Sequence, residues 1–464
     1  MHPNIALSDA AATTPLFAIT SAELTPLLAA TPSHVAIAGA QNFKAQAGQV
    51  LLVYDADGTL ACVYFGLGAH CEAAVFGGLA AKLPAGDFKL ATPIPDDQGQ
   101  ATLIAYLLGT YVYDRYKKKS ARLARLVPPV GSDAKAASRI VGAVALGRDL
   151  VNTPPNDMGP NALEAAAVAL GQTHNAEIEI ITGDDLLAQN YPLIHAVGRG
   201  SAQAPRLVIL RIGDETAPKL ALVGKGVTFD TGGLNLKQGI GMALMKKDMG
   251  GAACVLALFS SLAQARLNIR LSIYIPIVEN SMDGKSFRPS DVIIARNGLS
   301  VEIDNTDAEG RLILADAVTR ASEDGNEIIL DMATLTGAAR VALGPELPPF
   351  FTDDDTLAAQ LDVAAKTTGD HLWRMPLWRP YEDDLESSIA DLKNSGGPFA
   401  GAINGALFIS KFVNTAQNKP IWAHFDVYCW NPKDKPGRPM GGEVHAVRAI
   451  DAMLRARFDA VPTP

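Results

Sequence analysis

The sequence predicts an α/β protein, with a smaller N-terminal α/β domain and a larger C-terminal domain built on a mostly parallel sheet flanked by helices. Three observations carry this. From about residue 160 helix-type and strand-type patterns alternate, as in a doubly wound sheet. Before that point a helical pattern runs into Asn152-Thr153-Pro154-Pro155, where two prolines block continuation. Gly and Ala are abundant while aromatics make up only 6%, which suits close helix–sheet packing. A chain of 464 residues also favours two or more domains. The boundaries drawn are 1–135 for the N-terminal domain, 136–155 for a connecting helix and linker, and 156–464 for the C-terminal domain.

In the first part, His34–Ala38 reads as a short strand. Val50–Asp55 and Leu60–Gly66 are β-type runs around Asp57-Gly58, a hairpin signal. Thr102–Tyr116 is a helix candidate with Leu103, Leu107 and Tyr111 on one side. Lys117-Lys118-Lys119 then reads as its solvated end, where cations complement the helix dipole. Leu126–Ala134 is loop-like, and Ser138–Val151 is helical.

In the second part, Asn161 is placed to cap a helix over Ala162–Leu170. Glu177–Ile181, Leu207–Leu210 and Leu220–Val223 are strands. Met249–Ala265 is apolar on nearly every side, so it is expected to be buried. Leu267 to Ile277 alternates strictly, as in a long strand with one face in the core. Ile328–Leu330 is a buried strand and Leu357–Ala365 a helix. Gly405–Val413 and Val444–Leu454 are helices, with the strand Ile421–Val427 between them.

The bulk properties exclude some functions. A net charge of -9 fits a soluble protein and not a dedicated nucleic-acid binder. Cys62, Cys71, Cys254 and Cys429 are scattered, with no CxxC, and read as free thiols of a reducing compartment. The N-terminus lacks the basic start and apolar run of a signal peptide. No run of about 18 consecutive apolar residues predicts a membrane span. A cytoplasmic protein is the expectation.

Two stretches carry chemistry. Leu222–Gly251 holds Lys225, Asp230, Lys237 and Asp248, and Val301–Leu314 holds Asp307, Glu309 and Arg311. Each acid falls at a strand exit or a helix entrance, where ligands bind in open α/β sheets. Asp248 alone is equally well read as an N-cap. Asp307 and Glu309 are harder to explain that way. Two residues apart in an extended segment, they share one spot, which is repulsive unless a cation sits between them. Lys225, beside such a cation and short of water, can ligate as a neutral amine. On spacing alone, Lys237 reads as a solvated loop lysine and Arg311 as an ion-pair partner of Asp307 or Glu309. The glycines around Lys225 do not make a P-loop, and neither HExxH nor GxSxG occurs. Oxygen ligands with one amine suit Mn, Mg or Zn.

VGKGVTFDTGG, DMGG and NTDAEGRL, with NTPPNDM and DMATLTGA, resemble the motifs of the leucine aminopeptidase family, the dinuclear cytosolic leucyl aminopeptidases. The similarity covers about 150 to 427 and makes 156–464 the metallopeptidase domain. It implies that Lys225, Asp230, Asp248, Asp307 and Glu309 ligate two divalent ions per subunit, with Asp230 and Glu309 bridging. It implies that Lys237 and Arg311 are catalytic, with bicarbonate held at Arg311. Met245, Thr334 and Gly337 match positions that line the first side-chain pocket, although ordinary packing would also explain them. The implied activity is release of N-terminal residues, leucine or other apolar ones, by a two-metal-activated hydroxide. The implied assembly is a homohexamer. Peptides with a free N-terminus would be the partners; neither membrane nor nucleic acid is expected. Val427-Tyr428-Cys429-Trp430 departs from the family pattern, in a region that contributes to the substrate pocket in relatives. His424 reads as a buried structural histidine. A DNA-binding or scaffold protein on the same fold is the competing class, and a two-metal phosphoesterase is a third.

Overall fold

A computed structural model describes residues 1–7, 13–29 and 31–458. Part of the N-terminal stretch read for a leader, 8–12, lies outside them. The chain forms two compact units, Met1–Ala145 with Asn431–Met440, and Leu146–Trp430 with the chain from Gly441 onward.

The first unit holds a five-stranded sheet in the order Val50–Tyr54, Leu60–Gly68, Thr14–Thr20, Gly86–Leu90, Ala124–Leu126. The first two strands form the expected hairpin, pairing Leu52 with Val63. Its turn works because Gly58 adopts φ +85° and Asp57 Oδ1 accepts the Thr59 N–H at 3.0 Å. Two expectations are corrected. His34–Ala38 lies in the helix Pro32–Ala40, where Pro32 presets the first turn. The helix expected over Thr102–Tyr116 spans only Gly99–Leu108. Its last carbonyls are taken by the Gly109 N–H and the Thr110 hydroxyl, the latter at 2.6 Å from Leu107 O. Lys117-Lys118-Lys119 is therefore exposed loop and not a helix end.

The second unit is built on a mixed sheet. Its order is Trp373–Arg374, Pro349–Phe351, Ile421–Asp426, Ile328–Ala333, Lys219–Gly224, Arg270–Asn280, Arg206–Ile212, Glu177–Thr182. The four central strands, Ile421–Asp426 to Arg270–Asn280, run parallel. Antiparallel pairings begin on either side of them. The register stacks Leu330 beside Leu222 and Leu222 beside Ile273. Arg270–Asn280 is buried on both faces, not one, because helices cover both sides of the sheet. It also starts later than the alternation suggested.

Helix Gly250–Ala265 is buried along most of its length. It lies within Gly239–Ala265, which by length and composition could cross a membrane; 83% of its most apolar window is buried inside the protein. Helix Pro160–Thr173 begins at Pro160 behind Gly159, so Asn161 is inside the first turn and caps nothing. Its N–H instead meets Gln203 Oε1 at 2.9 Å. Because the central strands are parallel, their C-terminal ends gather on one edge. Lys225, Asn280, Thr334 and Asp426 all lie there. The short strand Gly226–Asp230 continues that edge, pairing Asp230 with Asn280.

Candidate metal centre

The site begins with two close backbone approaches. A Cβ on Gly251 would lie 2.0 Å from Met332 O, and one on Gly224 would lie 2.8 Å from Ala252 Cα. The start of helix Gly250–Ala265 therefore rests directly on the strand ends. The Lys225 N–H bonds Met332 O at 3.0 Å, and the Ala252 N–H bonds Lys225 O at 2.8 Å. Asp248 ends the single turn Met245–Lys247, ahead of Met249 in the N-cap position. Asp248 is thus not the cap, which leaves its carboxylate free for another role.

The second stretch arrives through a turn and not an extended segment. Asp307 sits in that turn and Glu309 opens helix Glu309–Glu323. Their carboxylates still converge: one oxygen from each of Asp230, Asp307 and Glu309 falls within 4.8 Å of the others. Lys225 Nζ lies 2.9 Å from Asp248 Oδ2 and 2.8 Å from Glu309 Oε1. Lys237 Nζ lies 2.8 Å from Asp230 Oδ2 and 2.5 Å from Asp307 Oδ1. All seven residues except Asp307 and Lys237 are fully buried. Lys237 is therefore not simply a solvated loop lysine.

The electrostatics are those of crowded anions short of water. Burial, reinforced by the Asp230 carboxylate, pushes Glu309 up to about 8 and Asp307 up to about 6. Burial alone would lower Lys225 and Lys237. The surrounding carboxylates outweigh it and hold both above the ordinary range. The donor set fits divalent cations. Asp248 Oδ2, Asp307 Oδ1 and Glu309 Oε1 are buried and have no aligned hydrogen-bond donor, although a lysine ammonium lies at ion-pair distance from each. Such oxygens are open to a divalent cation.

Arg311 is also buried, and burial lowers its pKa. Among the described residues it forms no ion pair with Asp307 or Glu309, contrary to the spacing-based reading. Its Nε and Nη1 have no partner at all. A guanidinium that no carboxylate among the described residues engages is open to a small oxyanion.

Of the pocket candidates, Thr334 donates its hydroxyl to Asp248 Oδ1 at 2.7 Å, and its carbonyl accepts from Lys225 Nζ at 3.1 Å. Met245 is half-buried, and a Cβ added to Gly337 would meet open space. A supporting layer, not legible in the sequence, holds these side chains. Asn280 Nδ2 bonds Asp230 Oδ1 at 2.8 Å and Thr306 O at 3.0 Å. Thr306 in turn ties Gly232 and Asn235 to the Asp307 turn. Asn280 and Thr306 are fully buried, the first at the end of an apolar strand and the second in the turn that carries Asp307. His424 is buried as expected, its Nδ1 2.5 Å from Asp331 Oδ1.

Known proteins resemble this chain in sequence and fold. The profile of the cytosol aminopeptidase family, catalytic domain, matches residues 145–450, and that of the M17 aminopeptidase N-terminal domain matches 14–129. A probable cytosol aminopeptidase of Geobacter sp. (strain M21) is 38% identical over 392 residues, 80% of this chain and 79% of that one. The cytosol aminopeptidase structure from Coxiella burnetii superposes with a TM-score of 0.92 at 41% identity, covering 96% of this chain and 98% of that one. The bottromycin maturation enzyme BotP in complex with Mn follows at a TM-score of 0.86 and 32% identity, covering 97% and 100%. The chain belongs to the cytosol aminopeptidase family, and with it to the metal-dependent exopeptidases that hydrolyse peptides.

Proposed function

We propose that the chain is a two-metal aminopeptidase acting on peptides with a free N-terminus, with 156–464 as its catalytic domain and 1–135 as a separate N-terminal domain. The observation that carries this is the buried convergence of Asp230, Asp248, Asp307, Glu309 and Lys225, with carboxylate oxygens that lack aligned donors. These five would hold two divalent ions, Mn, Zn or Mg. A manganese complex of a neighbour makes Mn the first to try. Such ions, when bound, activate water and polarise the scissile carbonyl.

The chain's own groups supply the rest. Lys237 carries its ammonium at the mouth of the carboxylate cluster, less buried than Lys225. There it would stabilise negative charge developing on the carbonyl oxygen. Arg311, which no carboxylate among the described residues engages, would hold bicarbonate and so place a general base beside the cluster. Thr334 keeps Asp248 turned toward Lys225. Homohexameric assembly and a cytoplasmic location complete the proposal on the strength of the family resemblance.

The test is hydrolysis of Leu-p-nitroanilide by chelator-stripped protein, with and without added Mn²⁺, beside Glu309→Ala. Activity restored by the metal in wild type and absent from the variant is the expected result. A wild type that binds Mn²⁺ yet hydrolyses no aminoacyl substrate would return the scaffold reading to the front.

A further inference from the structure

The segment that departs from the family pattern, Val427–Trp430, has cations gathered on its rings. Lys247 Nζ lies 4.7 Å from the centre of the Tyr428 ring, and the Arg340 guanidinium carbon lies 5.2 Å from it. Arg340 Nη1 also donates to Tyr428 Oη at 3.3 Å. Lys246 Nζ is 5.3 Å from the Trp430 ring and bonds Asn152 O at 2.7 Å. Among the described residues, none of these three cations has a carboxylate within ion-pair distance.

Lys247 is the informative one. It is only 6% exposed, and among the described residues it makes no hydrogen bond and no ion pair. An ammonium on a buried stem, set against an aromatic ring with no carboxylate beside it, is poorly compensated. Away from the candidate metal centre, the buried Arg206 and Arg270 of this unit are matched by Glu164 and Glu177. The two carboxylates nearest in influence to Lys247 are engaged. Asp248 faces Lys225 and the Thr334 hydroxyl. Asp426 accepts from the Leu335 and Thr336 amides and the Thr336 hydroxyl. Lys247 therefore lacks an anion that the chain itself does not provide.

Its location says which anion. Lys247 shares a single turn with Met245, and Tyr428 and Arg340 line a small cavity with Thr336. Next to Thr336 is Gly337, which opens to free space. Lys247 thus shares a turn with Met245, and Arg340 a helix with Gly337, two positions assigned to the first side-chain pocket. We propose that Lys247 and Arg340, both set against the Tyr428 ring, form a carboxylate subsite, and that the enzyme favours peptides beginning with Glu or Asp. The ammonium and guanidinium would donate to the side-chain carboxylate, and the ring would pack against its methylenes. This rests on the aminopeptidase reading and replaces the apolar preference that the resemblance implies.

The test compares kcat/KM of full-length, Mn-loaded protein on the aminomethylcoumarin amides of Glu, Asp, Gln and Leu. Gln is the neutral isostere of Glu, so the Glu:Gln ratio isolates the charge. A ratio of about tenfold or more is expected. Lys247→Met should lower it by about tenfold, through KM. Arg340→Gln, at an exposed position, should lower it as well and does not depend on Lys247→Met folding. A wild-type ratio at or below one, or a ratio that neither variant changes, overturns the proposal. If the wild type hydrolyses none of the four, the aminopeptidase reading has failed instead. Calorimetry of free glutamate against glutamine then decides the subsite: tighter glutamate binding lost in Lys247→Met upholds it, and equal binding overturns it.

Discussion

Replacing Gly310 by Ala tests whether Lys225 belongs to the metal centre. Gly310 is the second residue of helix Glu309–Glu323. A Cβ there would lie 2.5 Å from Lys225 Cε, 2.6 Å from Nζ and 2.8 Å from Cδ. Carbon atoms rest at about 3.5–4.0 Å, so the lysine stem must retreat by roughly 1 Å. Its 2.9 Å and 2.8 Å contacts with Asp248 and Glu309 cannot survive that shift. The fold is less affected, because the obstruction is the far end of a flexible side chain. Overpacking costs about 1–3 kcal/mol. Removing a helical glycine returns about 0.5–1 kcal/mol. Net destabilisation should stay near 2 kcal/mol or below, while metal affinity falls by about 10–100-fold, as when a ligand's support is lost. Mn²⁺ titration calorimetry and elemental analysis measure the second quantity, and urea unfolding the first. A variant with wild-type Mn²⁺ affinity and wild-type kcat would refute Lys225 as a ligand.

Three further predictions follow from the same geometry. Asn280→Leu removes the donor on Asp230 Oδ1 and should weaken Mn²⁺ binding by about 10–100-fold; unchanged affinity would show that Gly232 alone orients Asp230. Asp331→Ala strips the buried partner of both His424 and Trp422 and should cost about 3–5 kcal/mol in urea unfolding, a loss below 1 kcal/mol being incompatible with the pair as described. Metal binding should release protons and weaken between pH 8 and pH 6. Glu309, raised to about 8, and Asp307, raised to about 6, hold protons in that window that a cation must displace. Calorimetry in buffers of different ionisation enthalpy reads the proton count, and an affinity independent of pH would contradict those shifts.

The sequence made the metal centre legible and its support nearly invisible. Four acids and a lysine at strand exits or helix entrances announce a cation site because burying such groups together is otherwise costly. Asn280 and Thr306 send no such signal, since an isolated polar residue beside an apolar strand reads as the strand's end. The premise that put Asp307 and Glu309 on one side was mistaken: they lie in a turn and a helix start, and their convergence comes from the turn. Local patterns misled where tertiary context decided. The alternation before Ile277 implied one buried face, whereas helices cover both. His34–Ala38, short and mostly apolar, reads as a strand, but Pro32 sets the first turn of a helix there. Lys247 passed unnoticed because a lysine in a Lys-Lys pair looks like surface, and only burial reveals that it lacks a counter-ion.

The contact between Gly251 and the Met332 carbonyl has a consequence for how this protein can change over time. An interface made of side chains can drift, since one residue may shrink as another grows. An interface made of backbone has no such freedom, and a single methyl group at Gly251 would have to occupy the space of a carbonyl oxygen. Variation is thereby channelled away from the junction that sets the distance from Lys225 to Asp248 and toward its rim, where Tyr428 and Arg340 can be exchanged without moving it. The chemistry is tied to a fixed point of the chain, and the choice of substrate to residues that are free to vary.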